Sequence, residues 1–471
     1  MDPAGIFALL NRMTGLAPLR VPQFSGAEPH LPTPFRVTAA AAAALGLAGS
    51  AADGIWRLRS AGGPQELSLD PGAAAASLVS FALMRLDGQP VPRPAETNPT
   101  VGFYRTGDGR WIHLHGGFPH LAQGTVGLLA AADDPQSIAD AVGKWNALAL
   151  EEALAHLGLC GAVARTADEW RSSPQGQALA DTPPIVLTRI GEAPRLELAP
   201  GEAPLSGIRV LELTRVLAGP VAGRTLASHG ADVLHIRAER LPTIDAFDLD
   251  TGHGKRAAFL DLAKPADAER LRRLVREAQV FIDSYRPGAL AGLGFTSAAL
   301  SHLSPGIVQV VLSCYGHKGP WAPRRGWEQL AQAATGMACE QGAAMAARER
   351  KGREAPPKLI PAAACDVITG YLAAAGAAAA LLRRMREGGS WRVEVSLCAT
   401  AQWLQSLGRV PAAEMPESWN PLAGLDGYLK SCDTARGRLD FLGPVMRMSM
   451  TQPAWRRPPP EPGADEASWL A

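Results

Sequence analysis

An α/β fold with a parallel, doubly wound sheet is predicted for the second half of this sequence on three observations. Short apolar runs, "GIRVLEL", "ADVLHIRA", "QVFIDSY" and "GIVQVVLS", have the length and composition of buried strands. Helical stretches, "GPVAGRTLASHG" and "PADAERLRRLVREA", fall between them, the first ended by Gly230. Strands alternating with helices imply a parallel, doubly wound sheet of Rossmann-like type. There is no G-x-G-x-x-G motif; Gly219 and Gly223 are spaced differently and read as points of close helix–strand packing. A smaller α+β region is expected upstream, with "GRWIHLHGG" as a strand and "KWNALALEEALAHLG" as an amphipathic helix.

Bulk properties narrow the function. The 471 residues allow two or three domains at about 100–200 residues each. Hydrophobic residues make up 47% and charged residues 19%, the balance of a soluble protein with a sizeable core. Lys+Arg 46 against Asp+Glu 45 leaves a formal charge of +1, so nothing favours nucleic acid or a membrane surface, and any phosphate site must be local. Six cysteines without a C-x-x-C read as reduced thiols and give cytoplasmic as the expected location. The start, "MDPAGIFALLNRMTG", lacks the basic segment of a signal peptide. The run "AAAAAALGLAGSAADG" is glycine-broken and reads as too short for a membrane span, which needs about 20 apolar residues.

Along the chain, residues 1–36 are Pro-rich and read as irregular. An Ala-rich helix is expected from Thr38 to about Arg59, then a strand in "GGPQELSLD". "TPPIVLTRIGEAPRLELAPGEAPLSG" reads as short strands and turns ending at a boundary near Gly201–Gly207. The first helix and strand have an echo downstream, since "AAAAALGLAGSAADGIWRLRSAGGPQELSL" is similar to "GYLAAAGAAAALLRRMREGGSWRVEVSL". Aligning Gly62–Gly63 with Gly388–Gly389 puts Ala40 opposite Asp366, so the copies share a scaffold but not the carboxylate. From position alone, Asp366 at the head of the second helix reads either as an N-cap or as a nucleophile held in a buried pocket.

Five blocks in order carry a family resemblance: "PLSGIRVLELTRVLAGPVAGRTLASHGADVLHI", "GHGKRAAFLDL", "VFIDSYRPGALAGLGF", "CYGHKGPWAPRRGWEQLAQAATG" and "CDVITGYLAAAGAAAALLRR" with "GGSWRVEVSL". They resemble the family III CoA-transferases, the formyl-CoA transferase and carnitine CoA-transferase group that includes α-methylacyl-CoA racemase. The resemblance implies a Rossmann-like large domain with a smaller α+β domain, acting on acyl-CoA and a free carboxylic acid, with coenzyme A as substrate and no metal. Its domain reading is an irregular segment 1–36, a degenerate copy of the central helix and strand over 37–95, a small-domain-like region 96–204, a Rossmann-like CoA-binding region 205–345, and the catalytic-Asp helix, strand and return segment 346–471. Family members are interlocked dimers. Here two partial copies in one chain imply a pseudo-dimeric monomer, with a homodimer as the alternative.

The resemblance gives Asp366 the role of nucleophile and places Lys255 near the CoA phosphates, Arg325 near the nucleotide, Tyr285 near the adenine, and Arg215, Val216 and Ala218 beside the pantetheine and phosphates. Arg256 is a weaker neighbour of Lys255. Trp327 stands where the racemase branch carries a His; tryptophan neither donates nor accepts the proton that epimerisation needs. Glu328 reads as a structural carboxylate or a catalytic one. Cys365 reads as packing. His113, His115 and His120 read as ordinary strand histidines, since a metal site would need a third ligand on the face that His113 and His115 share. Where the second strand runs into "HIRAERLP", Arg237 replaces an acid and Ala238 a basic position, with Arg240 nearby as a substitute. The alternatives to transfer are a CoA-binding pseudoenzyme and a same-fold isomerase or racemase.

Overall fold

A computed structural model describes residues 1–26, 30–60, 63–93, 97–348 and 355–470. Gly62, part of the aligned glycine pair, lies outside them. The main sheet has seven strands: β1 (Val186–Gly191), β2 (Arg209–Leu213), β3 (Asp232–Arg237), β4 (Lys255–Phe259), β5 (Val280–Asp283), β6 (Val308–Ser313) and β7 (Ser390–Ser396). Their spatial order is β4-β3-β2-β5-β6-β7-β1. All pairings are parallel except β7 with β1. The chain therefore winds outward in both directions from β2 and β5. Leu213 lies opposite Asp283, so the carboxyl ends of these two strands end side by side. That is the switch point at which an open α/β sheet leaves a crevice.

Two Ala-rich helices form the spine of the core. Helix α1 (Val37–Ser60) lies along the later helix Ala364–Glu387. Both are long and apolar enough to cross a membrane by composition, and both are buried in the protein. Alanine and glycine faces let helix axes approach closely. Helix α2 (Ala218–Ser228) follows β2 and packs on the same late helix. A Cβ on Gly370 would sit 2.6 Å from the Ala218 carbonyl oxygen and 2.7 Å from Val221 Cγ1. Gly219 and Gly223 do serve close packing: added Cβ atoms would meet Thr214 at 2.6 Å and the Glu212 carboxylate at 1.7 Å.

The region before β1 holds an antiparallel sheet of Val101–Arg105, Trp111–His115 and Gly161–Val163, with helices that include Pro119–Leu129 and Ala147–His156. Only one strand, β1, forms between Pro183 and Gly207, and it joins the main sheet rather than a turn-rich linker. The amino-terminal segment is irregular only in part. Asp2 caps a helix, Pro3–Met13, by accepting from the Gly5 N–H at 2.8 Å, with proline in the first turn where its missing N–H costs nothing. Ile6, Phe7 and Leu10 bury its apolar face. The carboxy-terminal hairpin Leu429–Thr434 and Gly437–Leu442 pairs with Arg85–Leu86, and Met446–Met448 pairs with Leu67–Leu69, so the later part of the chain wraps the region that follows α1.

Placing a valine at 370 would push a side chain into the backbone of α2. Gly370→Val is expected to cost about 1–3 kcal/mol in urea unfolding; an unchanged midpoint would show that α2 does not pack this closely.

Candidate active site

The carboxyl ends of the central strands open onto a cleft of about 330 Å³. Its floor is the turn after β2 (Arg215 to Gly219), the turn after β5 (Ser284, Tyr285, Arg286) and Leu312 to Cys314 at the end of β6. Its far wall comes from the upstream region, as Phe118, Leu121 and Cys160. Asp366 closes it together with Arg325, Trp327 and Leu397. Residues from before and after the boundary near 205 thus line one cavity within one chain.

Asp366 is the third residue of α4 (Ala364–Glu387), which α3 (Glu328–Thr335) precedes. The N-cap of α4 is Ala363, which makes no side-chain cap. The cap reading of Asp366 therefore fails. Another carboxylate does that work: Glu328, at the start of α3, accepts the Cys365 backbone N–H at 3.2 Å and the Gln332 amide at 2.6 Å. Gln332 in turn accepts the Ile360 N–H at 2.9 Å. The chain just upstream is tied as well, by the Ala363 N–H to the Leu78 carbonyl at 3.2 Å. Glu328 is thus a structural carboxylate that fixes the first turn of the helix bearing Asp366.

Both acids are hard to ionise. Burial, and next the charge of Glu328, push the Asp366 carboxyl well above the usual range. Burial raises Glu328 to about 7, opposed by the Gln332 and Cys365 hydrogen bonds. The helix amino terminus pulls the other way. Two carboxyls this close lose their protons as a pair.

The cleft is also locally cationic, although the chain is nearly neutral. Burial lowers Arg215, and the like charges of Arg237 and Arg325 press it in the same direction. Burial and Arg325 do the same to the exposed Arg286. Nε of Arg215 and Nε of Arg325 are buried and have no protein partner among the described residues. Arg215 stacks on Phe118 at 4.6 Å and donates to the Pro242 carbonyl at 2.6 Å. Val216 sits at φ +69°, a left-handed conformation that strains a β-branched residue. Strain of this kind persists where the surroundings over-determine the backbone, here at the switch point. Tyr285 lines both this cleft and a neighbouring apolar cavity of about 200 Å³ that Ala238 and Arg240 also border.

Of the residues named from sequence, Asp366, Arg215, Val216, Ala218, Tyr285 and Arg325 meet in the cleft. Lys255 does not line it. Its ammonium is buried between the Glu212 carboxylate at 2.8 Å and the Pro220 carbonyl at 2.7 Å. His235 donates from Nδ1 to the same carboxylate at 2.8 Å. Arg256 is likewise held by Asp232 and the Ser468 carbonyl. His113 packs edge-on against Phe103, and His115 stacks on Trp327; burial lowers them to about 3 and about 4, so both are neutral. Cys365 touches Met337 rather than the cleft. Ser284, Arg286 and Phe118 were missed. The first two sit on a strand's carboxyl end beside Tyr285 and were legible by the argument that found Arg215. Phe118 arrives only through tertiary packing.

Comparison with known proteins gives this arrangement a place. The family model CoA-transferase family III matches residues 205–417. An acyl-CoA transferase of Gibberella moniliformis is 30% identical over 410 residues, covering 79% of this chain and 71% of that protein. The chain belongs to CoA-transferase family III. A succinate–glutarate CoA-transferase of Agrobacterium fabrum is 33% identical over 41% of this family III chain, which spans 51% of that protein. The crystal structure of Rv3272 from M. tuberculosis is 29% identical, covers 44% of this chain and 57% of its own, and superposes with a TM-score of 0.40.

Replacing Lys255 with Met leaves the Glu212 carboxylate buried without its cation. That is expected to cost about 3–5 kcal/mol of folding stability. Much of it should return in the double variant Lys255→Met with Glu212→Gln, measured by chemical denaturation.

Proposed function

We propose that this chain moves CoA from an acyl-CoA to a free carboxylic acid, with Asp366 as the covalent nucleophile. The observation that carries this reading is a buried carboxylate on the first turn of a helix, relieved of capping by Glu328 and opening on a cationic cleft at the switch point. The Asp366 carboxylate attacks the thioester carbonyl, the C–S bond breaks, and CoA leaves as thiolate from an acyl-aspartyl anhydride. The thiolate attacks the aspartyl carbonyl and expels the donor acid as carboxylate, leaving aspartyl-CoA. The acceptor carboxylate attacks that thioester, and the returning thiolate takes the new acyl group and frees Asp366. No proton or electron is gained or lost across the cycle, which agrees with a site whose nearest histidines are neutral and engaged elsewhere. Carboxylate nucleophiles suit the exchange because anhydride and thioester are comparably reactive.

Arg215 and Arg325, with unpartnered Nε atoms, and Arg286 supply the cations for phosphate, and Tyr285 with its apolar cavity supports the adenosine end. Val216 and Ala218 border the pantetheine path. Lys255 is left out of this set because Glu212 holds it. Trp327 at the racemase-type histidine position speaks against epimerisation. One chain supplies both walls of the cleft, which supports a pseudo-dimeric monomer carrying one site.

The test is intact-protein mass spectrometry with a panel of acyl-CoAs and hydroxylamine as trap. A trapped adduct mapping to Asp366 is expected, and Asp366→Asn should lower isotopic CoA exchange by a factor of roughly 10³ or more. CoA binding with no adduct from any thioester would instead indicate a non-catalytic CoA-binding protein. The raised carboxyl also fixes a pH dependence. Asp366 acts only when ionised, so the transfer rate should keep rising with pH beyond the range in which an ordinary carboxyl has already lost its proton. Glu328→Gln keeps an acceptor for the Cys365 N–H but removes the like charge, which lowers the Asp366 pKa. The rising limb of the rate–pH profile should therefore move to lower pH in that variant.

A further inference from the structure

Trp327 lines the cleft together with Asp366 and Leu397, and its indole is fixed from three directions. One face stacks on His115, with ring centroids 4.1 Å apart and planes 18° from parallel. Phe118 lies against it at 5.1 Å, tilted by 58°. The far edge of the ring is 3.2 Å from where a Cβ on Gly117 would stand, so the backbone there leaves no slack. Its carbonyl oxygen accepts from the Cys314 thiol at 3.7 Å, and Trp327 is also the N-cap residue of α3, the helix that begins with Glu328. Since His115 is uncharged, the stack is a neutral aromatic wall. Leu121, Cys160 and Leu397 complete an apolar lining around it.

We infer that Trp327 is the acyl-size selector of this cleft and that the chain is a short-chain acyl transferase. The inference rests on the proposed transferase reading and names its substrate class. The cavity of about 330 Å³ lies at the low end of the roughly 300–1,000 Å³ that holds a drug-sized ligand. The pantetheine arm must occupy much of it to bring a thioester to Asp366. What remains is bounded by an indole that cannot swing, because His115, Phe118 and Gly117 hold it. An acyl group of a few carbons fits between Asp366 and the indole, whereas a longer chain meets the ring. Trp327 touches the acyl group and takes no part in bond making.

The test measures kcat/KM for CoA transfer, and the rate of adduct formation at Asp366, with straight-chain acyl-CoAs of increasing length. Wild type, Trp327→Leu and Trp327→Phe are compared. Wild type should favour the shortest donors and fall off steeply. Trp327→Leu should raise the ratio of medium-chain to acetyl transfer by roughly tenfold or more. Trp327→Phe, which keeps a ring on His115, should shift it less, and circular dichroism confirms that each variant is folded. If wild type accepts long chains as readily as short ones, or if both folded variants lose every chain length in proportion, the selector role is wrong. If wild type yields no adduct with any thioester while binding CoA, the transferase reading fails first and takes this inference with it.

Discussion

The hydrogen bond from the Cys365 backbone to the Glu328 carboxylate is the contact on which the candidate site depends. It joins the start of α3 to the start of α4, two elements that the chain reaches through a long intervening segment. It satisfies a donor that a helix end otherwise leaves open. Because a separate residue does this, Asp366 is free to face the cleft. The same carboxylate places negative charge beside Asp366, so the device that positions the nucleophile also resists its ionisation. Position and reactivity are thus set by one side chain, with Gln332 and Ile360 holding that side chain in turn.

Much of the main sheet was legible in the sequence because its strands are buried on both faces and read as continuous apolar runs. β2, β3, β5 and β6 fall within the runs that predicted them, and α1 ends within a residue of its expected limits. β4 was harder to see as a strand, since Lys255 and Arg256 open it and both are buried only through partners distant in sequence. The helix Pro3–Met13 was hidden behind proline content, although Asp2 and Pro3 form a cap and first-turn pair.

The site was legible where chemistry sits on strand ends. Arg215 and Tyr285 follow β2 and β5 directly, and their meeting follows from the strand order. Lys255 borders an adjoining cavity with Arg215 and Val216 instead, and its sequence neighbours do not reveal the buried carboxylate two strands away that takes its ammonium. The aromatic wall was invisible for the same reason: His115, Phe118 and Trp327 come from regions that only the folded chain brings together.

The pairing of α1 with α4 has a consequence for how the molecule is made. These helices lie at opposite ends of the chain, so their contact has a very high sequence separation, the kind that slows folding. During synthesis at about 5–20 residues per second, the face of α1 waits tens of seconds for its partner to emerge. Throughout that interval the nascent chain displays a long stretch of bare alanine and leucine. The neighbouring helix Pro3–Met13 can cover part of α1 early, but the face meant for α4 stays bare until α4 has been made.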